Sequence, residues 1–335
     1  MAKQFLTLAD LAARRGTDKE VGLVQQIVNY SPEITSIIGR SIPGTFTESR
    51  VQVGIPKGGG FRAINSGSDL SAGTYEKRRF NCFFWDQPLQ IDEAELVAAQ
   101  QIGDSLGELQ ADEVSGALMN KAIKFSQQFY NGADANGYPG LLQILKAYGG
   151  LDGKNEGVVD SRTGKTLVNV IDAGGTGNNT ETIYYVWAAP QGVHFLFGGD
   201  STVDVNPWVW QYVNDAAGKR FRASVSNVKG WIGLSCAHPF AVSVIKNVTA
   251  LKPWTDALSA QLHALLPVGI QPNFCFATKR SRGLLQQSRT VALFGQAGIA
   301  RKGDQSDATI AAVPAVDIEG VPIVPTDGIQ LQPAW

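Results

Sequence analysis

The sequence predicts an α+β fold in which a long helix separates a β-ribbon from a strand-rich remainder. Three observations predict it. Residues 45–85 form two alternating runs around a glycine-rich turn, residues 92–131 place apolar side chains at helical spacing, and from residue 133 onward glycines and asparagines separate short apolar runs. Because 335 residues exceed what one core usually organises, we expect two domains, or one domain with large excursions.

The first 45 residues are predicted to form an arm rather than a domain. They contain two short amphipathic helix candidates, at 8–13 and 21–29, and then two prolines, Pro32 and Pro43. Because chain ends usually fray unless something holds them, we expect neighbouring subunits to hold this arm.

The next segment is predicted to be a long two-stranded ribbon, with strands at 48–55 and 75–85 and a turn at 56–60. A two-stranded hairpin is marginally stable alone in water, so we expect packing on another surface to order it. An ordinary surface hairpin remains the alternative. Between residues 50 and 79 the acids are Asp69 and Glu76, and the basic residues are Arg50, Lys57, Arg62, Lys77, Arg78 and Arg79.

The long helix is predicted to begin at Asp92, which would cap the first turn with Glu95 as its capping-box partner. It is predicted to end at Asn131–Gly132 in a left-handed stop, after about 57 Å. Three glycines inside it predict a bend or a close backbone approach: Gly103, Gly107 and Gly116.

The start of this helix is acidic, which complements the basic ribbon. Residues 87–120 contain no Lys or Arg, and their acids are Asp92, Glu93, Glu95, Asp104, Glu108, Asp112 and Glu113. This pairing of opposite charges predicts contact between subunits. Acids in a first helical turn also suit the helix dipole, so a solvated acidic face remains the alternative for part of the set.

The remainder of the chain is predicted to mix short strands with two helices. The predicted strands are 167–171, 182–188, 193–197, 231–234, 241–245 and 273–277, the predicted helices are 255–265 and 281–287, and 313–331 alternates as edge strands do.

Composition excludes several classes of protein. Hydrophobic residues make up 44% and charged residues 18%, which is typical of a folded protein. No window approaches eighteen consecutive apolar residues, and the N-terminus lacks the apolar run of a signal peptide. We therefore expect a protein that stays in the compartment where it is made. A net charge of −1 argues against a dedicated nucleic-acid binder. Cys82, Cys236 and Cys275 are predicted to be reduced and structural.

The sequence contains no convincing chemical motif, so we predict no catalytic, cofactor-binding or metal-binding residues. The segment 164–166 is similar to a phosphate loop, but Val159 stands where the first glycine belongs. The histidines, His194, His238 and His263, lack the spacing of metal ligands. Distant residues can still converge in space.

Several short motifs follow one another in a characteristic order. They are GFRAIN at 60–65, NVIDAGGTG at 169–177, TIYYVW at 182–187, VHFLF at 193–197, WIGL at 231–234, VIKNV at 244–248, GVPIV at 320–324 and TDGI at 326–329. In order and spacing they resemble the major capsid proteins of tailed bacteriophages, in the group from short-tailed phages, over most of the chain. The chain departs from the relatives at 237–240, where they tend to carry a charged residue.

The resemblance implies a tailed-phage major capsid protein fold. It implies an N-terminal arm at 1–45, an extended loop at 46–82, a peripheral domain at 83–132, 228–250 and 308–335 with its spine helix at 92–131, and an axial domain at 133–227 and 251–307.

The resemblance also implies a function, that of a structural, non-enzymatic coat protein. Such a protein assembles into hexamers and pentamers of an icosahedral shell that encloses double-stranded DNA in the virion, and is made in the host bacterial cytoplasm. The implied partners are further copies, a scaffolding protein, a portal at one vertex, a cement or decoration protein, and DNA bound non-specifically, with no membrane. Two alternatives stay open: a non-viral nanocompartment shell of the same fold, and an enzyme with a phosphate site near 164–166.

In that family the extended loop lies over an adjacent subunit, so the ribbon's basic residues are expected to meet the neighbour's acids. The expected pairs join Arg50, Lys57, Arg62, Lys77, Arg78 and Arg79 to Asp104, Glu108 and Asp112. Charge reversal at Arg78 and Arg79 is expected to block shell formation and to leave the subunit fold intact.

Overall fold

The computed structural model describes residues 31–54, 56, 60–67, 70–102, 105–148, 169–199, 204–215, 217–290 and 315–334. The helices predicted at 8–13 and 21–29 and the segment 164–166 lie outside these ranges.

The predicted ribbon is present as an antiparallel hairpin of β2 (Phe46–Gly54) and β3 (Thr74–Asp92). Strand β3 has 19 residues and runs seven residues beyond the predicted end at Trp85. Residues 74–81 pair with β2, whereas residues 82–92 pair with β9 (Arg220–Cys236). The hairpin therefore continues a strand whose other half is fixed in the body of the subunit.

Strand β9 organises the first sheet. It pairs with β3 on one side and, on the other, with β6 (Val193–Gly198), β7 (Asp204–Val205) and β8 (Val209–Asn214) in turn. The short strand β1 (Gly39–Ile42) extends this sheet by parallel pairing with β6.

The predicted single helix is wrong in one respect, because the structure has two helices, α2 (Glu93–Ile102) and α3 (Leu106–Asn131). Asp92 does cap the first, since its Oδ1 accepts from Ala94 N at 2.9 Å. The capping box, however, belongs to the second helix: Glu108 N donates to Ser105 Oγ, and Ser105 N donates to Glu108 Oε2, both at 3.2 Å. A complete start signal in mid-helix explains the division.

The predicted end of the helix is confirmed, because Gly132 adopts φ 63° and ψ 50° and its N–H bonds to Gln128 O. The helices cover one face of the first sheet, where alternate residues of β3 and β9 point inward. The buried side chains of this layer include Leu89, Ile91, Leu109, Ala117 and Val228.

The second sheet has the order β12-β13-β11-β5-β10-β4. These strands are β4 (Val170–Asp172), β5 (Glu181–Val186), β10 (Val242–Val248), β11 (Phe274–Ala277), β12 (Asp317–Ile318) and β13 (Val321–Pro325). The remaining helices are α1 (Glu33–Ser36), α4 (Leu141–Ala147), α5 (Asp256–Leu265) and α6 (Lys279–Thr290). Most of these elements occupy predicted positions, whereas α1, α4 and β8 were not predicted.

The end of α3 enters the main core, where its aromatic side chains meet both sheets. Phe129 packs against Phe195 of β6 and Phe276 of β11, and Tyr130 packs against Tyr184 of β5. Each sheet combines strands from segments that the resemblance assigns to different domains: β5 and β10, for example, are paired. The domain division stays a prediction.

A buried carboxylate joins three distant segments. Glu33 is fully buried on α1, and its Oε1 accepts from Ser126 Oγ of α3 at 2.7 Å and from Thr326 Oγ1 near the C-terminus at 2.6 Å. Ser31 Oγ donates to Ala122 O in the same region. Ser31 and α1 are thereby attached to the side of α3.

Candidate inter-subunit surface

The tip loop of the hairpin between β2 and β3 exposes three large apolar side chains. Phe61, Ile64 and Leu70 are each at least 93% exposed. Isolated apolar residues on a surface are common, but three large ones on one projecting loop are typical of a binding surface. We call Phe61, Ile64 and Leu70 the apolar tip.

The pairing register divides the ribbon's basic residues between two faces. Arg50 lies directly opposite Lys77, and Glu48 lies opposite Arg79, so these four side chains share one face. Arg50 stacks on Tyr75 at 5.6 Å, Arg79 lies over Phe46 at 3.8 Å, and Lys77 Nζ is 3.8 Å from Glu48. We call Arg50, Lys77 and Arg79 the basic face of the hairpin.

Arg78 lies on the opposite face and contacts its own subunit. Its Nη1 donates to Ala237 O at 2.6 Å, its guanidinium covers the Tyr148 ring at 4.6 Å, and its side chain is only 15% exposed. Tyr148 Oη donates to Cys236 O at 2.6 Å. Reversal of Arg78 would therefore disturb the subunit itself, which makes the expected Arg78 and Arg79 double reversal an unsuitable test of assembly.

The other predicted charges have different surroundings. Arg62 lies in the tip loop and donates to Ser66 O at 2.6 Å. Glu108 is exposed in the capping box of α3, and Asp112 is half-buried one turn further along. Lys57 and Asp104 lie outside the described residues. The pairing of these basic residues with Asp104, Glu108 and Asp112 of an adjacent copy stays a prediction about two subunits.

Sequence reasoning missed Lys121, a cation buried beneath the helix layer. Its Nζ lies 4.1 Å from the centre of the Trp85 ring, and its side chain sits between α3 and β3. Burial lowers the pKa of Lys121 from 10.5 to about 8. The available signal was the helical spacing of Lys121, which lies four residues after Ala117 and four residues before Phe125. Residues at this spacing share one face of the helix, and here that face is turned toward the sheet.

The lowered pKa predicts a pH dependence of subunit stability. Between about pH 8 and pH 10.5 the unfolded chain binds more protons at Lys121 than the folded subunit, so its contribution to the free energy of unfolding rises with pH. Buried cysteines and tyrosines with raised pKa values act in the opposite direction. We therefore expect the free energy of unfolding of the wild type, minus that of Lys121→Met, to rise between about pH 8 and pH 10.5. Denaturant titrations measure both values, and a difference that does not change with pH would contradict the lowered pKa of Lys121.

The motif at 169–177 acts as a structural corner. Asn169 Nδ2 donates to Val242 O at 2.8 Å and to Pro239 O at 2.9 Å, and Asp172 accepts from Gly174 N and from Asn247 Nδ2. A Cβ on Gly175 would lie 2.2 Å from Asn247 O, so this position requires glycine. These contacts explain the motif, because they join β4 to β10.

The histidines and cysteines pack against other residues of their own subunit. His238 Nδ1 accepts from Phe240 N, His263 lies 3.6 Å from Glu319, and burial lowers the pKa of His194. All three cysteines are free and buried, and burial raises the pKa of Cys236 to about 12. Within the described ranges, no cluster of His, Cys, Asp and Glu could hold a metal, and no helix is long and apolar enough to cross a membrane.

Two solved structures are similar to this architecture. A chain in the structure of bacteriophage Epsilon15 aligns with a TM-score of 0.65 at 15% identity, over 100% of this chain and 98% of that one. The capsid of bacteriophage JBD30 aligns with a TM-score of 0.52 at 10% identity, over 96% and 98%. The chain has the α+β fold of tailed-phage major capsid proteins, which confirms the predicted fold class.

A sequence model of the family described as Major capsid protein GP7 matches residues 41–332, and the chain belongs to this family. It is a structural protein of the phage capsid and not an enzyme, which decides against the alternative of a phosphate-handling enzyme. No curated protein matches the chain.

Proposed function

We propose that the chain assembles as hexamers and pentamers into an icosahedral shell around packaged double-stranded DNA. The observation that carries this proposal is the hairpin of β2 and β3, which projects an apolar tip from a strand fixed in the subunit body. Such a tip loses its contact with water when an adjacent copy covers it. Membership of a capsid family supplies the partner, since the surrounding copies in a shell are the same chain.

The capsid family also supports the remaining partners as proposals. A scaffolding protein would guide assembly in the host bacterial cytoplasm, a portal would occupy one vertex, and a cement protein could cover the outside. DNA contact would be non-specific, because the net charge is −1. The proposed arm, extended loop, peripheral domain and axial domain keep the boundaries given above.

Charge on the hairpin would set the register of this contact. The basic face carries Arg50, Lys77 and Arg79 outward, and Asp104, Glu108 and Asp112 of the adjacent copy are its proposed partners. Exposed ion pairs contribute about 0.2–1 kcal/mol each, so they orient the contact more than they strengthen it. The area buried by the arm and hairpin would provide the strength.

The charge register predicts an assembly defect with little effect on folding. We expect the double reversal Arg50→Glu and Lys77→Glu to reduce the yield of closed shells severalfold, because like charges would then face each other across the contact. Sedimentation and electron microscopy measure the yield, and Lys252→Glu, on an exposed loop of the body, is the matched control. Shells of normal yield from the double variant would refute the charge register.

The proposed function is tested by expressing the chain alone and with a scaffolding protein from its gene neighbourhood. Electron microscopy should then show closed shells, or rings of five or six subunits. A compact monomer under every condition would contradict the proposal.

A further inference from the structure

A cavity of about 430 Å³ lies between the C-terminal half of α3, residues 83–85 of β3 and the loop that follows α3. Its volume is within the range of about 300–1,000 Å³ that is typical of ligand pockets. Its aromatic walls are Phe83, Phe84, Trp85, Phe125 and Tyr138, and two amines, Lys121 and Lys124, share the lining.

Lys121 carries the cavity's unmatched charge. The side chain is 7% exposed, its ammonium faces the Trp85 ring, and no protein oxygen in the described residues accepts a hydrogen bond from it. A cation–π contact contributes about 0.5–2 kcal/mol, whereas the burial of an ion costs several kcal/mol. Its Nζ is enclosed within the subunit, so a change of the flexible lysine rotamer would bring it to an anion in the cavity, which would supply the interaction that the subunit alone does not provide.

The charge of the lining favours such an anion. Lys124 is exposed, one turn from Lys121 on the same helix. The lining carboxylate among the described residues is that of Asp134, and its Oδ1 already accepts from Asn136 N at 2.9 Å. Two lysine amines beside aromatic rings can bind a side-chain carboxylate, and the rings can contact its methylene groups.

We propose that this cavity receives an aspartate or glutamate side chain from an adjacent copy of the chain, whose carboxylate accepts a hydrogen bond from Lys121 Nζ. The inference rests on the proposed function, because shell packing places copies of the chain beside one another. Each copy would contribute both a carboxylate and a cavity, so the contact would repeat from subunit to subunit around a ring.

Zero-length cross-linking tests the contact directly. Shells are assembled from equal amounts of ¹⁴N and ¹⁵N chains and treated with a water-soluble carbodiimide. The reagent activates a carboxylate as an O-acylisourea, the Lys121 amine displaces the urea, and an amide bond joins the two side chains. We expect mass spectrometry to find Lys121 joined to an acidic peptide in mixed-isotope pairs. Links found only in single-isotope pairs, with no mixed pairs, would place the carboxylate in the same chain and overturn the inference.

A variant separates the contact from a role in folding. Lys121→Met keeps an unbranched side chain and removes the amine, so the monomer should retain or gain stability, whereas the yield of shells should fall about tenfold or more. Lys252→Met, on an exposed loop away from the cavity, is the matched control, and Lys121→Gln is the second variant if the first misfolds. Normal shells from Lys121→Met would overturn this inference alone, whereas wild-type chains that never assemble would overturn the proposed function as well.

Discussion

Replacement of Phe61 and Leu70 by serine is expected to stop shell formation while the subunit folds as before. Both side chains are fully exposed in the subunit, so their loss removes no contact that holds its fold. Burial of a large apolar side chain contributes about 1.5–3 kcal/mol, so two losses weaken each contact between copies by roughly 3–6 kcal/mol. Since about 1.4 kcal/mol corresponds to a tenfold change, each contact weakens more than a hundredfold.

The matched control is the pair Leu251→Ser and Val268→Ser, which removes similarly exposed apolar side chains from loops of the body. Sedimentation velocity would compare the assembled fraction of the two double variants, and circular dichroism would compare their folding. Equal assembly by both variants would contradict a role for the apolar tip in the contact.

Glu33→Ala is expected to lower the subunit's free energy of unfolding by about 2–4 kcal/mol, measured by denaturant titration. The substitution leaves the hydroxyls of Ser126 and Thr326 without their buried acceptor, and it also removes packed atoms. It would detach α1 from α3 and from the C-terminal segment.

Glu33→Gln is the control for this prediction, because its amide oxygen can still accept from both hydroxyls while the charge is removed. We expect Glu33→Gln to lose much less stability than Glu33→Ala. Equal losses would mean that the charge, rather than the acceptor, holds the three segments together.

Local signals allowed the sequence to predict many elements. The alternation of apolar and polar residues predicted β2 and the first part of β3. Thr255 predicted the start of α5, and Gly132 predicted the end of α3. Each signal acts within a few residues of the backbone that it shapes. The missed capping box at Ser105 was also local, and a search for every cap within the long helix would have found it.

Features that depend on distant residues could not be predicted in the same way. The full length of β9 depends on β3, β6, β7 and β8, which pair with it from other parts of the chain. The six basic residues of the ribbon look alike in sequence, but the pairing register sends Arg78 to its own body and Arg50 outward. The burial of Lys121 likewise depends on Trp85 of β3.

A cryo-EM reconstruction of assembled shells would test the central claim most directly, by showing what covers the apolar tip. We expect Phe61, Ile64 and Leu70 of each copy to lie against an adjacent copy, with Arg50, Lys77 and Arg79 near its acidic helix surface. Shells in which the tip remains in solvent, or folds back on its own subunit, would contradict the account.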